Sequence, residues 1–93
     1  MRFINFLNEV ENGYLNIDEI SLCYVDKIAE DKYNIKIIYR VGEREIYRTI
    51  NKTTFTYAKA IKIQTLLISL LANDTVKVID IDEDSNITPR LHV

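Results

Sequence analysis

The chain has 93 residues, a formal net charge of −2, 47% hydrophobic and 28% charged residues, and only two Gly and one Pro. That composition describes one small folded domain spanning 1–93, too short for a second core and too apolar for a disordered segment. One cysteine excludes an internal disulfide and most zinc sites, and one histidine excludes a His-rich metal cluster. No apolar run approaches the roughly 18 residues that span a membrane, and the N-terminus lacks a charged-then-apolar signal pattern. The expectation is therefore no membrane and a cytoplasmic location. Fifteen isoleucines beside abundant Asn and Lys match AT-rich codons, which points to a low-GC bacterium or its phage, with the bacterial host cell as the setting.

In chain order, Phe3–Leu7 reads as a first strand, and Asn12-Gly13 as a turn in which a positive φ is tolerated. Tyr14–Ile17 resumes the extended pattern, and Asp18-Glu19 forms a polar bend. Ile20–Ile28, rich in β-branched and aromatic residues, is a third strand. Glu30-Asp31-Lys32 connects it to the fourth, Tyr33–Val41, where every odd position is apolar or aromatic and the even positions are Asn34, Lys36, Ile38 and Arg40. Period two with one apolar face marks a half-buried strand. A tight loop at Gly42-Glu43 then sets Tyr39 opposite Ile46, Ile38 opposite Tyr47 and Arg40 opposite Glu45. Apolar meets apolar and opposite charges meet in that register; a one-residue slip would turn side chains to the wrong face. Arg48 opposite Ile37 is the discordant pair, accommodated with a buried stem and a wet head at the sheet margin.

The period then changes. Thr53 or Thr54 is positioned to cap a helix. On a helical wheel Ala60, Ile61, Ile63, Leu67, Ile68, Leu70 and Leu71 fill one broad arc, opposite Lys59, Lys62, Thr65 and Ser69. Asn73-Asp74 ends the helix, with Asn suited to a left-handed cap. Thr75–Ile81 returns as a last strand, and Asp82–Val93 is an acidic tail. These elements predict an α+β domain: a β-meander over 1–50, a helix over 53–73, a last strand at 75–81 and a tail at 82–93. The sheet has five to six strands, mainly antiparallel, with the amphipathic helix on one face.

The order of apolar strand, Asn-Gly, "YLNIDEI", strand, "YNIKIIYRVGEREIYRTI" and helix resembles the small flagellar FlbD family and similar short phage and Firmicute proteins. The likeness spans roughly residues 3–70 and implies a compact sheet-plus-helix shape with no catalytic residues.

Chemistry-bearing motifs are few. Asp80, Asp82 and Asp84 occupy the first, third and fifth positions of a calcium loop, with Ile87 at the eighth. Ser85 replaces the Gly of the sixth position and Leu91 the bidentate Glu of the twelfth, so the competing reading is a strand end running into a solvated acidic loop. No metal or other cofactor is expected. Cys23, among Leu22, Tyr24 and Val25, reads as a buried inert thiol without a local activating base. His92 lies where chain ends fray. No phosphate loop, nucleophile elbow or HExxH helix occurs, so no enzymatic activity is expected.

Two binding readings remain. Lys36, Arg40, Arg44 and Arg48, with Tyr47 and Tyr39, gather basic and aromatic residues in the hairpin 33–50, as single-stranded nucleic-acid platforms do. Against that stand the net charge and the cross-strand ion pairs. One helix covers only one face of the sheet, leaving an apolar surface around Ile38 and Tyr47, beside Val25 or Tyr24, rimmed by Lys36 and Arg40. Such surfaces usually mark association. The expected function is a non-enzymatic protein-binding module, possessing a protein partner or forming a homodimer. Its most specific form is a phage- or mobile-element-encoded inhibitor or regulator of a host or defence protein, small and motif-poor like anti-CRISPR proteins. Nucleic-acid binding through the hairpin is the alternative.

Overall fold

The computed structural model describes residues 1–7 and 13–93, so Asn12 of the expected Asn12-Gly13 turn lies outside the described residues. The strands are β1 (Phe3–Phe6), β2 (Tyr14–Asn16), β3 (Ile20–Ala29), β4 (Lys32–Val41), β5 (Arg44–Thr49), β6 (Val78–Ile81) and β7 (Ile87–Arg90), with α1 at Tyr57–Leu71 between β5 and β6. The fold is α+β, but its strands form two sheets instead of one meander. One sheet has the order β2-β1-β6-β7, with β1 and β6 parallel; the other is the antiparallel β3-β4-β5.

The division begins at Asn16. Its side chain accepts a hydrogen bond from the Asp18 amide at 2.9 Å, starting a single 3-10 turn at Ile17–Glu19 with Ile17 buried. This local bond diverts the backbone from the first sheet, where a meander would have paired neighbouring strands. The second sheet follows the expected alternation closely. Ile38 faces Tyr47, Tyr39 faces Ile46, Arg40 faces Glu45 and Ile37 faces Arg48. Gly42, at φ 63°, makes the tight connection.

Both helix ends differ from expectation. Tyr33 and Phe55 exchange backbone hydrogen bonds of 2.9 and 2.8 Å, so after a bend at Lys52-Thr53 the chain is tied to β4 and not yet helical at Thr53 and Thr54. The cap is Thr56, whose hydroxyl accepts from the Lys59 amide at 3.3 Å. At the other end Asn73 is not left-handed, since the only described non-Gly residues with positive φ are Asp31 and Ser85. The Arg2 guanidinium instead donates to the carbonyls of Leu70, Leu71, Asn73 and Val76 at 2.7–3.0 Å. A cation there adds bonds to the carbonyls at the helix end and opposes the negative end of the helix dipole.

Buried Ile4, Phe6, Ile79 and Ile81 from the first sheet join Ile35 and Ile37 from the second and Ala60 and Leu67 from α1 in one core cluster. The helix arc is narrower than the wheel suggested: Ile61 and Ile68 are exposed at 36% and 45%. The expected last strand is confined to β6, and the expected tail contains β7, which pairs with β6 and sets Pro89 opposite Ile79.

A buried asparagine closes the connection between β5 and α1. Asn51 Oδ1 accepts from the Ile35 amide at 2.9 Å, while Nδ2 donates to the Tyr33 carbonyl, Asn34 Oδ1 and the Thr53 carbonyl at 2.8–3.3 Å. The side chain continues the ladder to β4 after β5 ends. Asn51→Ala should cost about 2–3 kcal/mol in urea unfolding, because it strands a buried amide and empties a full set of bonds. Arg2→Met should cost a similar ~2–3 kcal/mol, with Arg2→Lys recovering only part, since one ammonium cannot reproduce the guanidinium's fork of donors.

Candidate functional site

In β4 the odd side chains enter the core: Ile35 and Ile37 are fully buried, and Tyr33 and Tyr39 pack against the cluster. The even side chains therefore point away from α1, onto the opposite face of the β3-β4-β5 sheet. Three residues form a row across it, Leu22 beside Ile38 and Ile38 beside Tyr47. Leu22, not the expected Val25 or Tyr24, is the β3 neighbour of Ile38. The adjacent row is Tyr24, Lys36 and Thr49, with Asp26 beside Asn34 one step further along.

Exposure along the central row is uneven. Leu22 is 52% and Tyr47 60% exposed, whereas Ile38 is buried at 8%. The expectation that Ile38 is itself accessible is corrected: on a central strand it has neighbours on both sides, while Leu22 and Tyr47 stand on outer strands. Lys36 is only partly exposed and its Nζ lies 2.9 Å from Asp26 Oδ2. That hydrogen bond and the Asp26 charge hold the Lys36 pKa above its ordinary value. Arg40 is exposed and lies opposite Glu45.

The remaining hairpin cations face elsewhere. Arg44 is opposite Val41 and Arg48 opposite Ile37, so both belong to the odd side. Arg48 places its guanidinium 3.7 Å above the centroid of the Phe6 ring, at the junction with the other sheet. This is how the discordant Arg48–Ile37 pair is accommodated: an aromatic face meets the charge. Tyr39 packs against the core. The four cations and two tyrosines that looked like one cluster in the hairpin thus divide between two faces.

The outer face of the first sheet offers an internal comparison. Fully buried Val78 lies beneath a polar roof in which Arg90 grips Asp80 through two hydrogen bonds of 2.7 and 3.1 Å. Asn5 adds a third bond to Asp80 at 3.0 Å, and Phe3 meets Tyr14 edge-on at 5.8 Å. Here a polar network covers the central strands, although Tyr14 at the β2 edge is 59% exposed; the β3-β4-β5 face presents both Leu22 and Tyr47.

The acidic segment does not converge on a cation. Asp80 is engaged by Arg90 and Asn5, and Asp82 closes the β6–β7 turn. Asp82 Oδ1 accepts from the Asp84 and Asn86 amides at 2.9 Å, and Oδ2 accepts from Asn86 Nδ2 at 3.2 Å. Ser85, at φ 64°, is buried inside this turn. Among the described residues no group of three His, Cys, Asp or Glu side chains is placed to hold a metal ion. The three carboxylates weighed as a weak calcium-loop candidate are placed apart: Asp80 in a salt bridge, Asp82 as a turn clamp and Asp84 as an exposed neighbour. Burial pushes the half-buried Cys23 thiol up to about 11, which keeps it protonated at neutral pH and a poor nucleophile.

The chain matches no family model, no curated protein and no solved structure. Three important residues were missed in the sequence. The Asp26–Lys36 pair is diagonal, with Asp26 opposite Asn34 and Leu22 opposite Ile38; matching the two charges directly across the strands would have set Leu22 opposite Arg40, so neither residue followed from charge pairing. Arg2 left no local signal.

Ile38→Ala should cost about 2–4 kcal/mol by opening a cavity. Tyr47→Ser, on the same row, should stay within about 0.5 kcal/mol; comparable losses in urea unfolding would contradict the difference in burial. Asp82 provides a pH test. The three hydrogen bonds, the Asn86 amide foremost, hold its pKa below the ordinary carboxylate value. Its stabilisation is present above the unfolded pKa of about 3.9 and lost as pH falls through the folded value. Asp82→Ala should therefore lower the melting temperature at neutral pH and flatten its decline in acid, as read by circular dichroism.

Proposed function

We propose that this chain is a non-enzymatic protein-binding module that associates through the Leu22–Ile38–Tyr47 row, with Lys36 and Arg40 at its rim. Its partner is another protein or a second copy of the chain. The observation carrying this reading is the contrast between the two outer faces. One sheet roofs buried Val78 with the Asp80–Arg90–Asn5 network and exposes Tyr14 at its edge, while the other leaves two side chains, Leu22 and Tyr47, more than half exposed on either side of buried Ile38. Exposed apolar side chains around a buried centre, with charges at the margin, are the anatomy of an association surface.

The sheet edges support a face over an edge. Strand β3 has register shifts near both ends, and its Cys23 carbonyl accepts from Gln64 Nε2 at 3.3 Å. Strand β2 has three residues, β7 contains Pro89, and β5 carries Arg44, Glu45 and Arg48. Short, bulged, proline-bearing and charged edges resist strand addition. Nucleic-acid binding through the hairpin is the weaker reading, because two of its cations lie on the opposite side and Lys36 is paired with Asp26.

The most specific form of the proposal is a phage- or mobile-element-encoded inhibitor or regulator of a host or defence protein, working in the bacterial cytoplasm. Small size, a single domain and few motifs support that form, as in anti-CRISPR-type proteins; the FlbD-like pattern contributes only shape. No helix among the described residues is long and apolar enough to cross a membrane.

The test compares wild type with Leu22→Ser/Tyr47→Ser in sedimentation equilibrium and in a pull-down from a low-GC bacterial host. Wild type should form a dimer as concentration rises or retain a specific protein. The double variant should lose that association by about 30-fold or more while its fold persists, the effect expected when a hot-spot pair worth ~2 kcal/mol is removed. Raising salt from 50 to 200 mM should change an apolar complex far less than a phosphate-driven one, which would lose affinity steeply. Unchanged association in the double variant, or steep salt-sensitive capture of an oligonucleotide, would overturn the assignment.

A further inference from the structure

We draw no further inference here: the strongest candidate, the open apolar groove between the C-terminal half of α1 and the start of β3, lined by Ile17, Ile20, Ile68 and Leu71, carries nothing because nothing in the structure shows what covers it.

Discussion

The joining of β1, the end of α1 and β6 depends on how Arg2 holds the helix terminus. Its side chain is 14% exposed, and the guanidinium meets four carbonyls from the last helical turn and the segment leading to β6. The Leu70 and Asn73 carbonyls also accept from the Asn73 and Val76 amides at 3.2 and 3.0 Å, so Arg2 adds a second bond to these and one each to Leu71 and Val76. Because Arg2 immediately precedes β1, one side chain joins the first strand, the helix terminus and the return strand. Parallel pairing of β1 with β6 then follows at close range: the Phe3 amide donates to the Lys77 carbonyl at 2.9 Å, and Phe3 aligns with Val78. The first sheet is in this sense assembled around a helix cap.

Asn51 and the Tyr33–Phe55 bridge perform the corresponding task at the other end of α1. They keep the approach to the helix attached to β4, so the helix begins over the odd side of that strand. With both ends tied, Ala60 and Leu67 are fully buried and the odd-side Ile35 and Ile37 are closed from solvent. The even side receives no such cover. Its exposure follows from the two helix anchors as much as from the composition of β3, β4 and β5.

What could be read from the sequence was whatever local periodicity encodes. In β4 and β5, strict alternation, a glycine at the turn and the Arg40–Glu45 pair all favour one register, and that register is the observed one. Pairing between β1 and β6 was not legible, because hydrophobic alternation identifies a strand without naming a partner some 75 residues away, as in the Asn5–Asp80 contact. Strand β7 was missed because its proline and acidic approach are turn signals, although an edge strand tolerates both. The helix start was displaced from Thr53 or Thr54 to Thr56 by a tertiary bridge that no cap motif reveals. For the candidate surface, alternation identified the face of Ile38 and Tyr47 correctly but could not tell an exposed residue from one sheltered between neighbouring strands.

The same distinction separates an apparent charge cluster from a binding platform. Arg40 and Arg48 are close in the hairpin sequence, yet strand parity and register send them to opposite faces. Phe6 receives Arg48, and Asp26 partners Lys36, so two of the cations already serve the fold. Leu22 and Tyr47 have no comparable burial to account for them. Between them, Ile38 belongs to the structural interior even though it lies on the outer face. A face built this way has a stabilising centre and adaptable flanks: the flanking side chains can change without opening a cavity, while the central one cannot.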